Sequence, residues 1–222
     1  MRDSWVSRFF QQSDPYSNVI LVPLPKTWWS RPYEYRWAQE FADPAAVVLD
    51  AASGVSHPFK FWLGTRCRIT HACDIDPRIG DDRTLLQGII DDFGPENARY
   101  LMDNYVSNIH LVQASILELP YNDQSLDTVF CLSVMEHLSS TEQVKTLSEF
   151  FRILKPGGLL VITLDYPTVN RAFFHHIVLK AGFSFAGPVD FSIPHNLLTS
   201  PNGELGCFRA VLRRALTQWE GI

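Results

Sequence analysis

From residue 45 onward the chain switches between two hydrophobic patterns. Mainly apolar runs at 45–49, 69–73, 109–113, 127–133 and 159–164 have the length and the flanking turns of buried strands. Between them, apolar residues recur at helical spacing. Leu85, Leu86, Ile89, Ile90 and Phe93 predict a helix over 83–93, broken by Gly94-Pro95. A further helix carries Ala98, Leu101, Met102 and Tyr105. A short helix opens at His57-Pro58 and is expected to stop at Gly64. Another runs over 141–154 and ends at Lys155-Pro156-Gly157-Gly158. This alternation predicts a parallel sheet with helices on both faces. Beyond Asp165 the pattern suggests a helix over 170–181 and strands over 183–191 and 206–213, with Pro201-Asn202-Gly203 turning between them.

The first forty residues are different. Trp5, Phe9, Phe10, Tyr16, Trp28, Trp29, Tyr33, Tyr35 and Trp37 crowd a stretch that Pro23, Pro25 and Pro32 interrupt, leaving a short helix over 33–41. The organisation expected is an aromatic arm over 1–40 followed by one α/β domain over 41–222. Such aromatics either pack the arm onto the domain or form a lid over a small-molecule site.

In an open α/β sheet a ligand sits at the carboxyl ends of the strands. After the first strand stands Asp50-Ala51-Ala52-Ser53-Gly54, a turn of small residues that lets backbone N–H groups approach a ligand. After the second stands Asp74, a little over twenty positions later, where a carboxylate can accept from both hydroxyls of a ribose. The alternative for Asp74 is a turn or helix cap beside Pro77.

Four segments, VVLDAASGVS, HACDIDP, LELPYNDQSLDTVFCLSVMEHL and FRILKPGGLLVITLDYP, resemble in order and separation the motifs of class I S-adenosylmethionine-dependent methyltransferases. The small-molecule, type 11-like subgroup is the most similar. The resemblance covers 45–166 well, the C-terminal part loosely and the arm not at all. It implies a Rossmann-like α/β fold, a mostly parallel seven-stranded sheet with helices on both faces and an antiparallel C-terminal hairpin. It also implies S-adenosylmethionine as cofactor. Asp50 would lie near the cofactor's amino group, and Ala51, Ala52, Ser53 and Gly54 beneath its methionine part. Asp74 would hold the ribose and Ile75 would pack on the adenine. Ser115 and Ile116 would flank the adenine edge, while Leu132 and Ser133 would line the methionine end. The chain departs from the pattern in two places. Where the family usually has three glycines, it has Ala52, Gly54 and Ser56; where the family often has an aspartate, it has Ser115. An alanine held at φ > 0 costs about 1 kcal/mol. Ser56 is expected to help cap the following helix.

Methyl transfer to an alcohol needs a group to take the hydroxyl proton. Glu136 and His137 follow the fourth strand at the correct end of the sheet, and an imidazole is the usual side chain for proton transfer, so the pair reads as catalytic or as a local cap. Asp165, Tyr166 and Tyr35 are expected to face the substrate. Asp127 starts a strand at the opposite end and reads as structural. No metal site is expected: His175 and His176 are adjacent on a helix, and the acidic run from Asp74 to Asp82 lacks calcium-loop order.

Composition narrows the classes. The chain has 222 residues, 46% hydrophobic, enough for one packed domain. A net charge of −5 without any Lys/Arg run argues against a nucleic-acid partner. Cys67, Cys73, Cys131 and Cys207 are scattered, as expected of free thiols in a reducing compartment. With no signal-like or membrane-spanning run read in the sequence, the expected place is the cytoplasm, as monomer or homodimer. The expected activity is methyl transfer to a small-molecule acceptor, more readily at oxygen than at nitrogen or carbon. The alternative is a weak or inactive methyltransferase-like binding protein. A nicotinamide-dependent oxidoreductase would need G-x-G-x-x-G where this chain has AASGVS.

Overall fold

The computed structural model describes residues 3–216; the outer ends of the expected arm and domain, residues 1–2 and 217–222, lie outside the described residues. The strands are β1 (Arg8–Phe9), β2 (Val19–Ile20), β3 (Val22–Pro23), β4 (Val47–Ala51), β5 (Ile69–Asp74), β6 (His110–Gln113), β7 (Leu126–Leu132), β8 (Leu154–Tyr166), β9 (Phe183–Phe185) and β10 (Gly206–Arg214). The helices are α1 (Arg31–Ala38), α2 (Phe59–Arg66), α3 (Asp82–Tyr105), α4 (Ser140–Ile153) and α5 (Arg171–Lys180).

The main sheet runs β6-β5-β4-β7-β8-β10, parallel through β8 and antiparallel at β10. Strand order reverses at β4, so β5 and β7 flank it and a crevice opens at their carboxyl ends. The seven strands implied by the family resemblance are completed by β9, which pairs with Leu212–Arg214. An eighth comes from the arm: β1 pairs Arg8 with Arg209 and Phe9 with Phe208 on the same edge of β10. Two short segments thus cover one long strand edge.

Period-two alternation divides the sheet's side chains between two layers. Leu49, Val129, Cys131, Leu160 and Ile162 pack with Leu147 and Phe150 of α4 and Phe174 and Ile177 of α5. Val48, Phe130, Leu132 and Val161 face Tyr35 and Trp37 of α1 and Phe59 and Leu63 of α2. Asp50 and Thr163 alternate onto this second face. That puts polar groups under α1.

Local signals account for the helix ends. Ser139 and Glu142 form a capping box at α4, with Glu142 Oε2 accepting from Ser139 N–H at 2.8 Å. Asn170 caps α5 by accepting from Phe173 N–H. Gly94, at φ +77°, kinks α3 at the predicted Gly94-Pro95 break. Asp127 is a clamp: it accepts from Val47 N–H at 2.8 Å and from Lys155 Nζ at 2.6 Å, tying the starts of β4, β7 and β8.

The structure corrects three local readings. Gly64 does not end α2, which continues to Arg66; a Cβ there would lie 2.7 Å from Ile109 Cγ2, so glycine permits close packing. Ser56 does not cap α2: its hydroxyl bonds Asp92 of α3. Pro32 does not exclude helix before Tyr33. It occupies the first turn of α1, where its missing N–H costs nothing.

The arm is tied down by charge as well as by aromatics. Asp14, 8% exposed, accepts from both ends of the Arg8 guanidinium at 2.7 and 2.9 Å, and Asp3 bridges Arg8 to the buried Arg209. Phe9, Phe10, Tyr35 and Trp37 are buried. Among the described residues no helix is long and apolar enough to cross a membrane.

Candidate active site

The carboxyl ends of β4, β5, β7 and β8 bring together the residues singled out after each strand. The small-residue turn after β4 is braced from both sides. Ser53 N–H donates to Cys73 O at 2.9 Å, and Gly54 N–H donates to Asp74 Oδ2 at 2.8 Å. Asp74 Oδ1 accepts from Asp76 N–H at 2.9 Å, so the carboxylate holds its own turn as well as that of β4. Ala52 lies at φ +52°, the left-handed region, and carries the strain anticipated for a Cβ there. Asp50 is 4% exposed beneath this turn.

Lys60 of α2 lies fully buried behind the same turn. Its Nζ donates to Gly54 O at 2.7 Å and His57 O at 2.8 Å. Burial pushes the Asp50 carboxyl up and the Lys60 ammonium down, and each charge opposes the other's shift. A buried cation thus holds a loop that lacks two of the family's glycines. No pattern in the sequence marked Lys60.

At the adenosine end, Ile75 leaves 72% of its surface exposed, a free apolar plate beside Asp74. Ser115 Oγ accepts from Leu117 N–H, which holds the turn after β6, and Ile116 is buried beside it. These residues fit an adenosine: an acid for the ribose diol, an uncovered apolar surface for the ring.

The methionine end is filled by the arm. Arg31, Glu34 and Tyr35 stand at i, i+3 and i+4 of α1 and share one face, turned into the crevice. Arg31 Nη1 donates to Glu34 Oε2 at 2.7 Å and to Leu132 O at 3.0 Å. Glu34 is fully buried and also accepts from Ser133 Oγ and Thr163 Oγ1. Tyr35 hydroxyl and His57 Nδ1 are 3.0 Å apart, and Trp28 stacks over the His57 ring with centroids 4.3 Å apart. The space left among Arg31, Tyr35, Asp50, Ala52, Ser53 and Leu132 is about 10 Å³, at most one water. Ser133 is held at φ +49° with its N–H shared between Thr163 O and Thr163 Oγ1.

Beside Ser133 three carboxyls gather. Glu136 Oε1 accepts from Asp165 N–H at 3.2 Å. Burial pushes Glu136 up to about 8; burial and the Glu34 charge push Asp165 up to about 6. Glu34 Oε1, Glu136 Oε2 and Asp165 Oδ1 are buried without hydrogen-bond partners among the described residues. His137 is placed differently: the short 3₁₀ turn at Met135–His137 sends Glu136 inward and leaves His137 exposed. Tyr166 begins a separate wall, against Arg171 of α5.

Residues 86–162, from α3 to β8, match a family model described as a methyltransferase domain of type 11. The fold is shared, at low identity, with solved methyltransferases. One is the Burkholderia thailandensis 1,6-didemethyltoxoflavin-N1-methyltransferase, solved with 1,6-didemethyltoxoflavin and S-adenosylhomocysteine bound; it has a TM-score of 0.57 and 14% identity, over 86% of this chain and 80% of that one.

Over residues 86–162 the chain is similar to the type 11 group of class I methyltransferases, and it shares their fold.

This group uses S-adenosylmethionine. A curated relative of this chain is the ubiquinone/menaquinone biosynthesis C-methyltransferase UbiE of Vibrio campbellii, 37% identical over 101 residues. That alignment covers 40% of this chain, and the chain spans only 37% of the relative's length. The [4+2]-cyclase SpnF has the same fold, with a TM-score of 0.61 and 12% identity, over 95% of this chain and 87% of that one. These likenesses therefore fix the fold and leave the chemistry to the site.

Proposed function

We propose that this chain transfers a methyl group from S-adenosylmethionine to a hydroxyl oxygen of a small-molecule acceptor. The observation that carries the reading is the brace of Asp74 on Gly54 above Asp50, an acid-lined turn with the exposed Ile75 beside it. Asp74 holds the ribose and Ile75 covers the adenine, with Ser115 and Ile116 at its edge. Asp50 and the Leu132 carbonyl accept from the methionine amino group, over the turn of Ala51, Ala52, Ser53 and Gly54. Arg31, the cation lining that space, is the partner for the carboxylate. When bound, the cofactor supplies the activated methyl group; the protein supplies position and electrostatics. Because the methionine end holds about 10 Å³ of free space, Arg31 and Tyr35 must shift to admit the methionine part, with Arg31 staying within reach of its carboxylate.

Asp165 takes the acceptor's proton on its unpartnered Oδ1. Held near 6, it is ionised at neutral pH yet basic enough to accept. Glu136 keeps its own proton to about pH 8 and so spares the pair a second charge. His137, exposed, is not assigned a step. Tyr35 and Tyr166 flank the acceptor side. A carbon acceptor is the second reading, favoured by the C-methyltransferase name of the Vibrio campbellii relative; it too begins with removal of a proton.

The test is calorimetric titration with S-adenosylmethionine and S-adenosylhomocysteine, with Asp74→Asn as control. Micromolar binding, weakened at least about tenfold in the variant, is the expected result. No binding of either ligand by protein with a cooperative melt would overturn the cofactor assignment, and would favour a methyltransferase-like protein working through partners.

A further inference from the structure

Past the carboxyl end of β8 the chain turns into α5 and leaves a cavity of about 840 Å³. Tyr166, Val169, Arg171 and His175 line one part of it and Val189 and Phe191 another. The volume suits one drug-sized molecule. The walls are largely ring and aliphatic surface, with one cation among them. The Arg171 guanidinium lies 4.9 Å from the centre of the Tyr166 ring and 5.9 Å from that of Phe9. One of its N–H groups donates to Phe191 O. Among the described residues no carboxylate pairs with it. Ring faces hold a guanidinium without consuming its donors. Arg171 therefore keeps a free edge suited to two oxygens of one anion. A narrow apolar cleft shares Tyr166, Val169, Arg171 and Phe191 with the cavity and reaches Asp165.

We infer that this cavity binds a planar, apolar molecule carrying one oxyanion group, a carboxylate or sulfonate, which Arg171 holds while the rings of Tyr166 and Phe191 flank the plate. Its role as the methyl acceptor rests on the methyltransferase reading above and needs the cleft toward Asp165, about 10 Å³ in this arrangement, to widen; the binding chemistry rests on neither.

Two dyes isolate the charge. 1-Anilinonaphthalene-8-sulfonate and N-phenyl-1-naphthylamine share their rings, and only the first carries the anion. Fluorescence titration of the full chain is expected to give saturable one-to-one binding of the sulfonate. Arg171→Met should weaken it about tenfold or more and leave the neutral dye within about twofold. Val189→Trp, which fills the rim and leaves Arg171 in place, should weaken both dyes, and it keeps the test open if Arg171→Met fails to fold. Equal sulfonate affinity in wild type and a folded Arg171→Met protein would overturn the assignment. So would undiminished binding of both dyes to Val189→Trp. S-adenosylhomocysteine titrated in parallel should bind Arg171→Met as it binds wild type. If wild type binds no S-adenosylhomocysteine but keeps the Arg171-dependent dye difference, the methyltransferase reading falls and the cavity assignment stands.

Discussion

Ala52 shows what one methyl group does at a turn built for glycine. Its φ of +52° places Cβ against its own backbone, at a cost of about 1–2 kcal/mol. Ala52→Gly relieves that strain but gives the unfolded chain more freedom, which offsets about 0.4–1 kcal/mol. A net gain of up to about 1.6 kcal/mol is expected in denaturant titration, with tighter S-adenosylhomocysteine binding. A lower midpoint would mean that the alanine methyl packs productively. Glu136 gives a pH-dependent counterpart. Its ordinary value is 4.5, and burial raises it to about 8 in the fold. Between those values the folded state holds a proton that the unfolded chain has released. The stability this group contributes is therefore full below about pH 4.5 and lost as pH rises through about 8. Glu136→Gln has no such proton to lose. Relative to wild type it should be near neutral in stability at pH 5 and more stable by about 1–3 kcal/mol at pH 9, read from melting curves across that range. A stability difference that does not change with pH would show that Glu136 ionises freely in the fold.

At the scale of elements, legibility followed the range of the interaction. The buried strands β4, β5, β7 and β8 announce themselves because a doubly covered strand is apolar over most of its length, and α4 because its cap and stripe lie within one segment. The element most altered by long-range contact is α1. Pro32 read as a breaker hid the start of the first turn, and with it Arg31, which fills the crevice beside Glu34. The spacing of Arg31, Glu34 and Tyr35 was available as a signal; what α1 packs against was not. β1 was invisible, since two residues acquire strand geometry only by pairing with β10 some 200 positions away. Glycine misled in the opposite direction. Gly64 looked like a stop, yet it lies inside α2 against Ile109. Gly64→Ala would raise helix propensity by about 1 kcal/mol, but the added Cβ overlaps Ile109 and Asn108, which costs about 1–3 kcal/mol. A lowered melting temperature is expected; a raised one would show that the α2 contact yields.

For the whole molecule, the consequence is that the arm is both scaffold and occupant. Phe9 and Phe10 bury against the sheet, and Asp14 neutralises Arg8 beside the buried Arg209. Further along the same arm, α1 fills the space where the cofactor's methionine part is proposed to lie. Asp14→Ala would leave the Arg8 and Arg209 charges with Asp3 alone and should cost about 2–4 kcal/mol. The two duties conflict: the arm must stay paired at β1 while α1 yields at Arg31. Trp28 reports on that motion, because it stacks on His57 directly over Gly54. If the closed arrangement must open before S-adenosylhomocysteine can bind, opening sets a ceiling on the rate. In stopped-flow mixing, the observed rate should level off as ligand concentration rises, and Trp28→Phe should remove much of the fluorescence change. Asp14→Ala, which loosens the arm, should raise the plateau without changing the ligand-contacting residues. A rate that climbs linearly to high ligand concentration would mean that no slow opening step precedes binding, and that Arg31 and Tyr35 are displaced as the ligand enters.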